Sequence, residues 1–302
     1  MAVKISFIKL LIIRHSLLII RYSIVKIRTA SNMFIPNKRY GQNFLTDKNL
    51  LAAIAADAGV GANDTVVEVG AGAGALTAQL AVRAKRVIAY EIDNRLEDIL
   101  AVNLVEHDNI EIIWGDVLKL DPTKGFEPYS YIVAANLPYY ITTPILFHFL
   151  ESANPPRSMT VMVQEEVADR MVALPGSPGY GALTAAIGLR GTAKVTRKVG
   201  RNLFSPPPNV DSAVVRIDLK PSPTDVDYTA VAKIIRAAFA MRRKTLVNNL
   251  QALGYSRQKA TAAVEGCGLP ITVRGERLNI TDFVKLTKEI TNCSVQITNK
   301  DK

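Results

Sequence analysis

Apolar and polar positions alternate with two different periods along the chain. From Thr65 onward, short β-branched runs are followed by segments of helical period, which is typical of an α/β domain. The predicted strands are TVVEVG (65–70), RVIAYEID (86–93), IEIIWGD (110–116), YIVAANLP (131–138) and the start of SMTVMVQEEVADRMV (158–172). The predicted helices are ALTAQLAVRA (75–84), RLEDILAVNLVEH (95–107), TPILFHFLES (143–152) and the end of 158–172. This order predicts a doubly wound, mostly parallel sheet of the Rossmann-like kind.

The rest of the chain predicts an edge addition and a second domain. Residues 193–220 have the pattern of a strand, a proline-rich loop and a strand, which suits an antiparallel addition to the sheet. After the linker PSPTDVD (221–227), residues 228–253 and 256–268 are basic and helical in period. We therefore predict an α/β domain over 34–220, a small all-helical domain over 221–292 and a tail over 293–302.

The first 33 residues differ from this pattern. They contain six basic residues and no acidic one, so they supply more than half of the net charge of +10. Lys9, Arg14 and Arg21 interrupt the apolar runs, and no run reaches the roughly 20 residues of a membrane span. The segment permits an amphipathic surface helix or a transit-like peptide. We expect instead that translation starts at Met33, because the globular pattern begins directly afterwards.

Charge and cysteine content restrict the function classes. The chain has 37 Lys and Arg against 27 Asp and Glu and a pI near 9.6, which predicts a polyanionic partner without distinguishing RNA, DNA or a membrane surface. Its two cysteines, Cys267 and Cys293, form no C-x-x-C pair. We therefore expect no disulfide framework, no metal site and a reducing cytoplasmic location.

A glycine-rich loop follows the first predicted strand. The segment EVGAGAGAL places Gly70, Gly72 and Gly74 between strand and helix, where glycines allow a tight turn and the helix start offers free N–H groups. The loop also satisfies the dinucleotide pattern G-x-G-x-x-G/A through Ala75, so a nicotinamide-type site stays open.

Acidic residues end the next two predicted strands. Glu91 lies 21 residues after Gly70, a spacing suited to binding the hydroxyls of an adenosine ribose. Asp116 ends the third strand. There it is placed either to accept a hydrogen bond from the exocyclic amine of adenine or to cap the following turn. Because parallel strands end at one edge of a sheet, these positions together predict a site for an adenosine-containing cofactor.

The fourth predicted strand ends in AANLPYYITTP (134–144), on the same edge. Here the chain resembles class I methyltransferases that use S-adenosylmethionine, and N-L-P-Y resembles their amino-methylating branch. The resemblance implies that the Asn136 side chain and the Leu137 carbonyl each accept a hydrogen bond from one of the two N–H groups of a target amine. Pro138 would restrict the backbone that holds these acceptors, and Tyr139 would stack on a base swung out of its own stack. The structural alternative is a turn capped by Asn136 with Tyr139 in the core.

Seven segments extend this resemblance over roughly residues 34–286. They are RYGQNFLTD, EVGAGAGALT, YEID, GDVLKLD, NLPYYITTP, NLFSPPPNVDSAVVRI and AAFAMRRKTLVNNL. Together they resemble the ribosomal RNA adenine dimethyltransferase family, and FAMRRKTL resembles its small-subunit enzymes more than its antibiotic-resistance enzymes. The resemblance implies S-adenosylmethionine contacts at Asn43, Leu45, Gly70, Glu91, Asp116 and Asn136. It also implies that the target adenine lies between Tyr139 and Phe204.

A basic run lies in the predicted helical domain. Arg242, Arg243 and Lys244 are consecutive, and we predict that they lie on a helix whose apolar positions include Phe239 and Leu246. Such runs are commonly solvated helix faces. With an RNA substrate implied, we favour phosphate contacts, which position RNA without reading its sequence.

The resemblance implies a complete reaction. The enzyme would transfer methyl groups from S-adenosylmethionine to N6 of two adjacent adenosines near the 3′ end of small-subunit (16S) rRNA, during ribosome biogenesis. We expect a cytoplasmic monomer that acts on the small subunit or an assembly intermediate, with no membrane and no metal. The alternatives are a large-subunit enzyme of the antibiotic-resistance type, a non-catalytic RNA-binding assembly factor and, least favoured, an NAD-dependent oxidoreductase.

Overall fold

The computed structural model describes residues 42–221 and 226–298. The leading segment 1–33, part of the predicted linker and the last residues of the predicted tail lie outside this range. The described strands are β1 (Phe44–Leu45), β2 (Thr65–Val69), β3 (Arg86–Glu91), β4 (Ile110–Trp114), β5 (Tyr131–Asn136), β6 (Ser158–Gln164), β7 (Gly191–Val199), β8 (Phe204–Ser205) and β9 (Ser212–Leu219).

The described α-helices lie between and after these strands. They are α1 (Lys48–Asp57), α2 (Ala75–Ala81), α3 (Glu97–Asn103), α4 (Val117–Leu120), α5 (Thr142–Glu151), α6 (Glu165–Met171), α7 (Ala182–Arg190), α8 (Tyr228–Ala240), α9 (Leu246–Ala252), α10 (Arg257–Gly266) and α11 (Ile280–Thr298). Short 3₁₀ turns are formed at Asn94–Leu96, Tyr139–Ile141, Arg201–Leu203 and Gly275–Arg277. The predicted strand and helix positions along the α/β part are confirmed, although several elements are shorter than their sequence patterns.

Seven strands form one twisted, mostly parallel sheet in the order β4-β3-β2-β5-β6-β9-β7. The strands from β4 to β6 pair in parallel, β9 pairs antiparallel with β6, and β7 pairs antiparallel with β9. The predicted fold class, a doubly wound mostly parallel sheet followed by a helical part, is therefore confirmed. Because β4, β3, β2 and β5 are adjacent and parallel, the loops that follow them meet at one edge of the sheet.

Both faces of the sheet are covered, as the apolar strand sequences require. Val67 and Val69 of β2 pack into one apolar cluster, while Val66 packs into the other. Alternate residues of a strand point to opposite faces, so a strand buried on both sides has few polar positions. Glu68 is the exception within β2, and it is only 1% exposed.

The helical part has its own apolar cluster, formed by residues of α8 to α11 together with Tyr180 and Ala185 from the α/β part. The Tyr180 hydroxyl donates a hydrogen bond to the Leu278 carbonyl at 2.8 Å and joins the two parts. The predicted boundary between residues 220 and 221 adjoins the undescribed residues 222–225 and stays a prediction.

The predicted helical position of the basic run is wrong. Helix α8 ends at Ala240, and Arg242, Arg243 and Lys244 lie in the turn before α9. The helical period breaks because Met241 leaves the helical backbone region (φ −126°, ψ 84°) and Thr245 starts a new helix by accepting a hydrogen bond from the Asn248 N–H. A threonine in this position is a common helix start.

Candidate active site

A cavity opens at the edge of the sheet where β2, β3, β4 and β5 end. The predicted residues Asn43, Leu45, Gly70, Glu91, Asp116, Asn136, Leu137, Pro138 and Tyr139 all line it. They come from five separate segments. Glu91 and Asn136 are the last residues of β3 and β5, Asn43 and Leu45 belong to β1 and the residue before it, and the others lie directly after β2, β4 and β5. The fold thus gathers nine of the ten predicted cofactor and catalytic residues around one cavity.

The glycine loop and Glu91 are joined directly. Gly70, Gly72 and Gly74 have φ angles of 81°, 56° and 83°, in the left-handed region that disfavours other residues. This path directs the Gly72 N–H at Glu91 Oε2, with a hydrogen bond of 2.8 Å. The Ile92 and Asp93 N–H groups both donate to Oε1 at 2.9 Å. The carboxyl is therefore fixed in orientation at the cavity.

Burial and hydrogen bonding act on Glu91 in opposite directions. The side chain is 5% exposed, and desolvation raises its pKa above the ordinary value, while the three backbone N–H groups oppose that shift. The backbone donors stabilise the charged form. This arrangement suits a carboxylate that accepts hydrogen bonds from a ligand's hydroxyl groups.

Glu68 is a second buried acid at the cavity, and it was not among the predicted site residues. Desolvation raises its pKa to about 8, with a further contribution from the Glu91 charge. The Thr77 hydroxyl opposes the shift, although neither Glu68 Oε2 nor Thr77 Oγ1 has a hydrogen-bond partner of good geometry in the part of the chain that the structure describes. An acid in the middle of the apolar strand TVVEV was the signal that could have identified it.

Residues 42–45 are held over the cavity by two contacts. The Gln42 amide donates to Asp93 Oδ2 at 2.8 Å, and β1 pairs antiparallel with β8, so that Leu45 lies opposite Phe204. Gln42 and Asp93 were not predicted as site residues. Their roles depend on a contact between positions 51 residues apart, which the sequence pattern does not encode.

The turn after β5 positions Asn136. Its Nδ2 donates to the Asn43 carbonyl at 3.4 Å, which connects two of the predicted site residues. The Pro138 carbonyl accepts hydrogen bonds from the Ile141 N–H and the Thr142 hydroxyl, both at 3.1 Å. Leu137 is buried, and its N–H donates to the Met162 carbonyl of β6. These bonds fix the backbone that carries the Asn136 side chain and the Leu137 carbonyl.

Two aromatic residues follow this turn. The Tyr139 hydroxyl lies 2.6 Å from the Ser212 hydroxyl, its ring is partly buried, and burial raises its pKa. Tyr140 also lines the cavity and is exposed. Tyr139 is therefore held at the cavity wall by β9, whereas Tyr140 faces outward.

Phe204 occupies a different position from the other predicted catalytic residues. It is buried in the apolar cluster that includes Leu45 and does not contribute to the lining of the cavity. Its pairing with Leu45 places it beside β1 in a two-stranded antiparallel sheet. The predicted stacking of a base between Tyr139 and Phe204 remains a prediction.

Asp116 both caps a helix and lines the cavity. Its Oδ1 accepts a hydrogen bond from the Leu118 N–H at 3.1 Å, at the start of α4. The two interpretations left open by the sequence are thus compatible, because a carboxylate can accept several hydrogen bonds.

The basic run lies apart from the cavity lining. Arg242, Arg243 and Lys244 are exposed, and Arg242 donates to the Pro178 carbonyl at 3.4 Å. Within residues 42–221 and 226–298, no three His, Cys, Asp or Glu side chains are grouped to hold a metal ion. Among the helices of this same part, none is both long and apolar enough to cross a bilayer.

Residues 33–292 match the model of the family described as Ribosomal RNA adenine dimethylase. A protein of Lactiplantibacillus plantarum named Ribosomal RNA small subunit methyltransferase A is 44% identical over 262 residues, which are 83% of this chain and 88% of that protein. A protein of the same name from Geobacillus thermodenitrificans is 44% identical over 264 residues, covering 84% of this chain and 90% of its own.

Two solved structures resemble most of the chain. A dimethyladenosine transferase from Plasmodium falciparum has a TM-score of 0.69 and 27% identity, and the match covers 82% of this chain and 98% of that one. The 23S rRNA methyltransferase ErmE has a TM-score of 0.63 and 29% identity, with coverage of 82% and 100%.

Proposed function

The chain belongs to the ribosomal RNA adenine dimethylase family, and on this premise we propose that it dimethylates N6 of two adjacent adenosines near the 3′ end of small-subunit rRNA. The methyl donor is S-adenosylmethionine. The observation that carries the proposal is the cavity in which Gly70, Glu91, Asp116 and Asn136 meet at consecutive strand ends. This single site supplies groups for both a nucleoside cofactor and a target amine.

The residues of the cavity fit the proposed cofactor. Glu91 is fixed by three backbone N–H groups and suits the two ribose hydroxyls. Asp116 suits the exocyclic amine of the cofactor's adenine, and Asn43 and Leu45 lie over the cavity from β1. When bound, S-adenosylmethionine supplies an electrophilic methyl group on a sulfonium.

The turn after β5 suits the activation of the target amine. The lone pair of this amine is delocalised into the adenine ring, so acceptors for both of its protons are needed to direct the pair outward. The Asn136 side-chain oxygen and the Leu137 carbonyl provide two acceptors on a backbone fixed through Pro138. Tyr139 provides a ring on which the flipped base stacks, and Phe204 would form the other side of this clamp. Positioning is the main source of catalysis here, with no covalent enzyme intermediate.

The basic turn and the helical part suit the RNA. Arg242, Arg243 and Lys244 are exposed on the turn between α8 and α9, where cations can contact phosphates. We therefore assign residues 221–292 as an RNA-binding domain. The substrate would place the enzyme in the cytoplasm, as a monomer on the small subunit or an assembly intermediate.

Sequence identity favours the small subunit over the large one. The relatives at 44% identity carry small-subunit names, whereas ErmE, a large-subunit enzyme, is 29% identical. A non-catalytic assembly factor would not require the ordered acceptors at Asn136 and Leu137, and an oxidoreductase would not require N-L-P-Y.

Ligand-dependent melting tests the cofactor assignment. S-adenosylmethionine should raise the melting temperature and NAD should not, because only a ligand that binds the native state stabilises it. Glu91→Ala should remove the increase, whereas Glu97→Ala, an exposed acid on α3, should preserve it. An increase with NAD alone would contradict the proposal.

A further inference from the structure

Glu68 is a cavity residue for which the proposed reaction gives no role. It lies two residues before Gly70, lines the cavity and is 1% exposed. Its register neighbours on β3 and β5 are Ala89 and Ala134, which belong to the apolar cluster on that face. The carboxyl is therefore surrounded by apolar strand positions on both sides.

The groups that face Glu68 do not balance a negative charge. Helix α2 contributes the Thr77 hydroxyl, and β3 contributes Glu91, a second acid. Within the described residues, no cation is among the groups that perturb the Glu68 carboxyl. Its Oε2 is buried and has no hydrogen-bond partner in residues 42–221 and 226–298. A carboxyl in this setting is stable as the neutral acid.

We propose that Glu68 discriminates between cofactor and product by charge: it is neutral in the free enzyme and releases its proton to solvent when a cationic ligand enters the cavity. The inference rests on the proposed function, in which a sulfonium cation binds and a neutral thioether leaves. The cation compensates the ionised carboxylate, whereas S-adenosylhomocysteine does not provide a charge at sulfur. Glu68 is a specificity residue in this account, with no part in methyl transfer itself.

The sign of the pH dependence follows from the two charge states. At pH values above the pKa of Glu68 in the free enzyme, the carboxylate is already ionised and favours the cationic cofactor over the product. At pH values below this pKa, Glu68 must lose its proton when the cofactor binds, and the preference for the cofactor over the product is smaller. The raised pKa of about 8 places this change near neutral pH. The preference should rise by roughly tenfold across it, the order of magnitude expected for the interaction of two unit charges within a protein.

Calorimetry with both ligands tests this inference. The Kd values of S-adenosylmethionine and S-adenosylhomocysteine are measured from pH 6 to pH 9 for the wild type, Glu68→Gln and the surface control Glu97→Gln. At each pH, the ratio of the Kd of S-adenosylhomocysteine to that of S-adenosylmethionine in the wild type is divided by the same ratio in Glu68→Gln. This division cancels the effect of the ligands' own titration. The quotient should change about tenfold, and Glu97→Gln should match the wild type. In buffers of different ionisation enthalpy, wild type should release more protons than Glu68→Gln with the cofactor but not with the product.

A second variant keeps the test independent of the folding of Glu68→Gln. Thr77→Val removes the hydroxyl that holds the Glu68 pKa down, so the midpoint of the wild-type preference curve should move to higher pH. Equal pH dependence in wild type and Glu68→Gln, or an unmoved midpoint in Thr77→Val, would overturn the charge-sensing role alone. If the wild type did not bind S-adenosylmethionine at all, the proposed function would be overturned with it.

Discussion

The backbone N–H of Gly72 donates a hydrogen bond of 2.8 Å to Oε2 of Glu91. This bond joins the loop after β2 to the end of β3, so the orientation of the carboxyl depends on the left-handed backbone of the loop. The same loop leads into α2, whose Thr77 faces Glu68. The segment from Gly72 to Thr77 thus orients the Glu91 carboxyl and opposes the rise in the pKa of Glu68.

Asn136→Ala should abolish most methyl transfer. The change removes one of two acceptors for the target amine, and the loss of one preorganised polar contact in a transition state costs about 100-fold to 1,000-fold in rate. RNA affinity, measured by filter binding, should change less than about twofold. Asn63→Ala, an exposed asparagine before β2, should keep full activity. An unchanged rate in Asn136→Ala would refute its assignment as an acceptor.

Tyr139 variants separate stacking from hydrogen bonding. Tyr139→Phe keeps the ring but leaves the buried Ser212 hydroxyl without its 2.6 Å partner, so stability should fall by about 1 to 3 kcal/mol with near-normal transfer. Tyr139→Ala should lower kcat/KM by roughly 10-fold to 100-fold, since stacking of one base contributes about 1 to 3 kcal/mol. Urea unfolding and single-turnover rates give the two quantities. If both variants transferred methyl equally well, the ring would have no stacking role.

The basic turn should contribute salt-dependent affinity. Arg243→Gln combined with Lys244→Gln should weaken RNA binding and lower the slope of log Kd against log salt by about 1.5, since each phosphate contact contributes about 0.7 to 0.9. Lys85→Gln combined with Lys124→Gln removes two exposed charges elsewhere and controls for net charge. Equal slopes in the two double variants would show that the position of the cations is irrelevant.

The pattern of the sequence was sufficient for the sheet and most of the cavity. Parallel strands end at one edge, so Gly70, Glu91, Asp116 and Asn136 could be placed together from their positions at successive strand ends. The sequence prediction was wrong at Met241, where the helix ends although no Gly or Pro follows before Leu246. The next helix is capped by Thr245, whose hydroxyl accepts a hydrogen bond from the Asn248 N–H. This local hydrogen bond is not visible in the apolar period.

Contacts between distant segments could not be predicted in this way. The pairing of Phe44 and Leu45 with Ser205 and Phe204 joins two strands of two residues each, which are too short to show a period. Glu68 was overlooked because a single acid in an apolar strand carries no motif. Its importance follows from burial and from the absence, within the described parts of the chain, of a compensating charge among the groups that perturb it.

Glu68 also predicts a pH dependence of stability. Its pKa is raised from 4.5 to about 8 in the folded protein, so the folded state binds more protons than the unfolded state between these values. The free energy of unfolding should therefore fall as pH rises from about 4.5 to about 8, by on the order of 1.4 kcal/mol for each unit between the two pKa values. Glu68→Gln should lack this contribution. Urea unfolding of both proteins at pH 5 and pH 8.5 measures it, and parallel pH profiles would show that the carboxyl is not neutral when folded.

The most direct test of the proposed function is to map the methylated nucleotides. Small ribosomal subunits that lack the modification are incubated with the protein and labelled S-adenosylmethionine, and the digested rRNA is analysed by mass spectrometry, with large subunits as a parallel substrate. The account predicts N6,N6-dimethyladenosine at two adjacent adenosines near the 3′ end of small-subunit rRNA. Label confined to large-subunit rRNA, or no dimethyladenosine in either subunit, would contradict it.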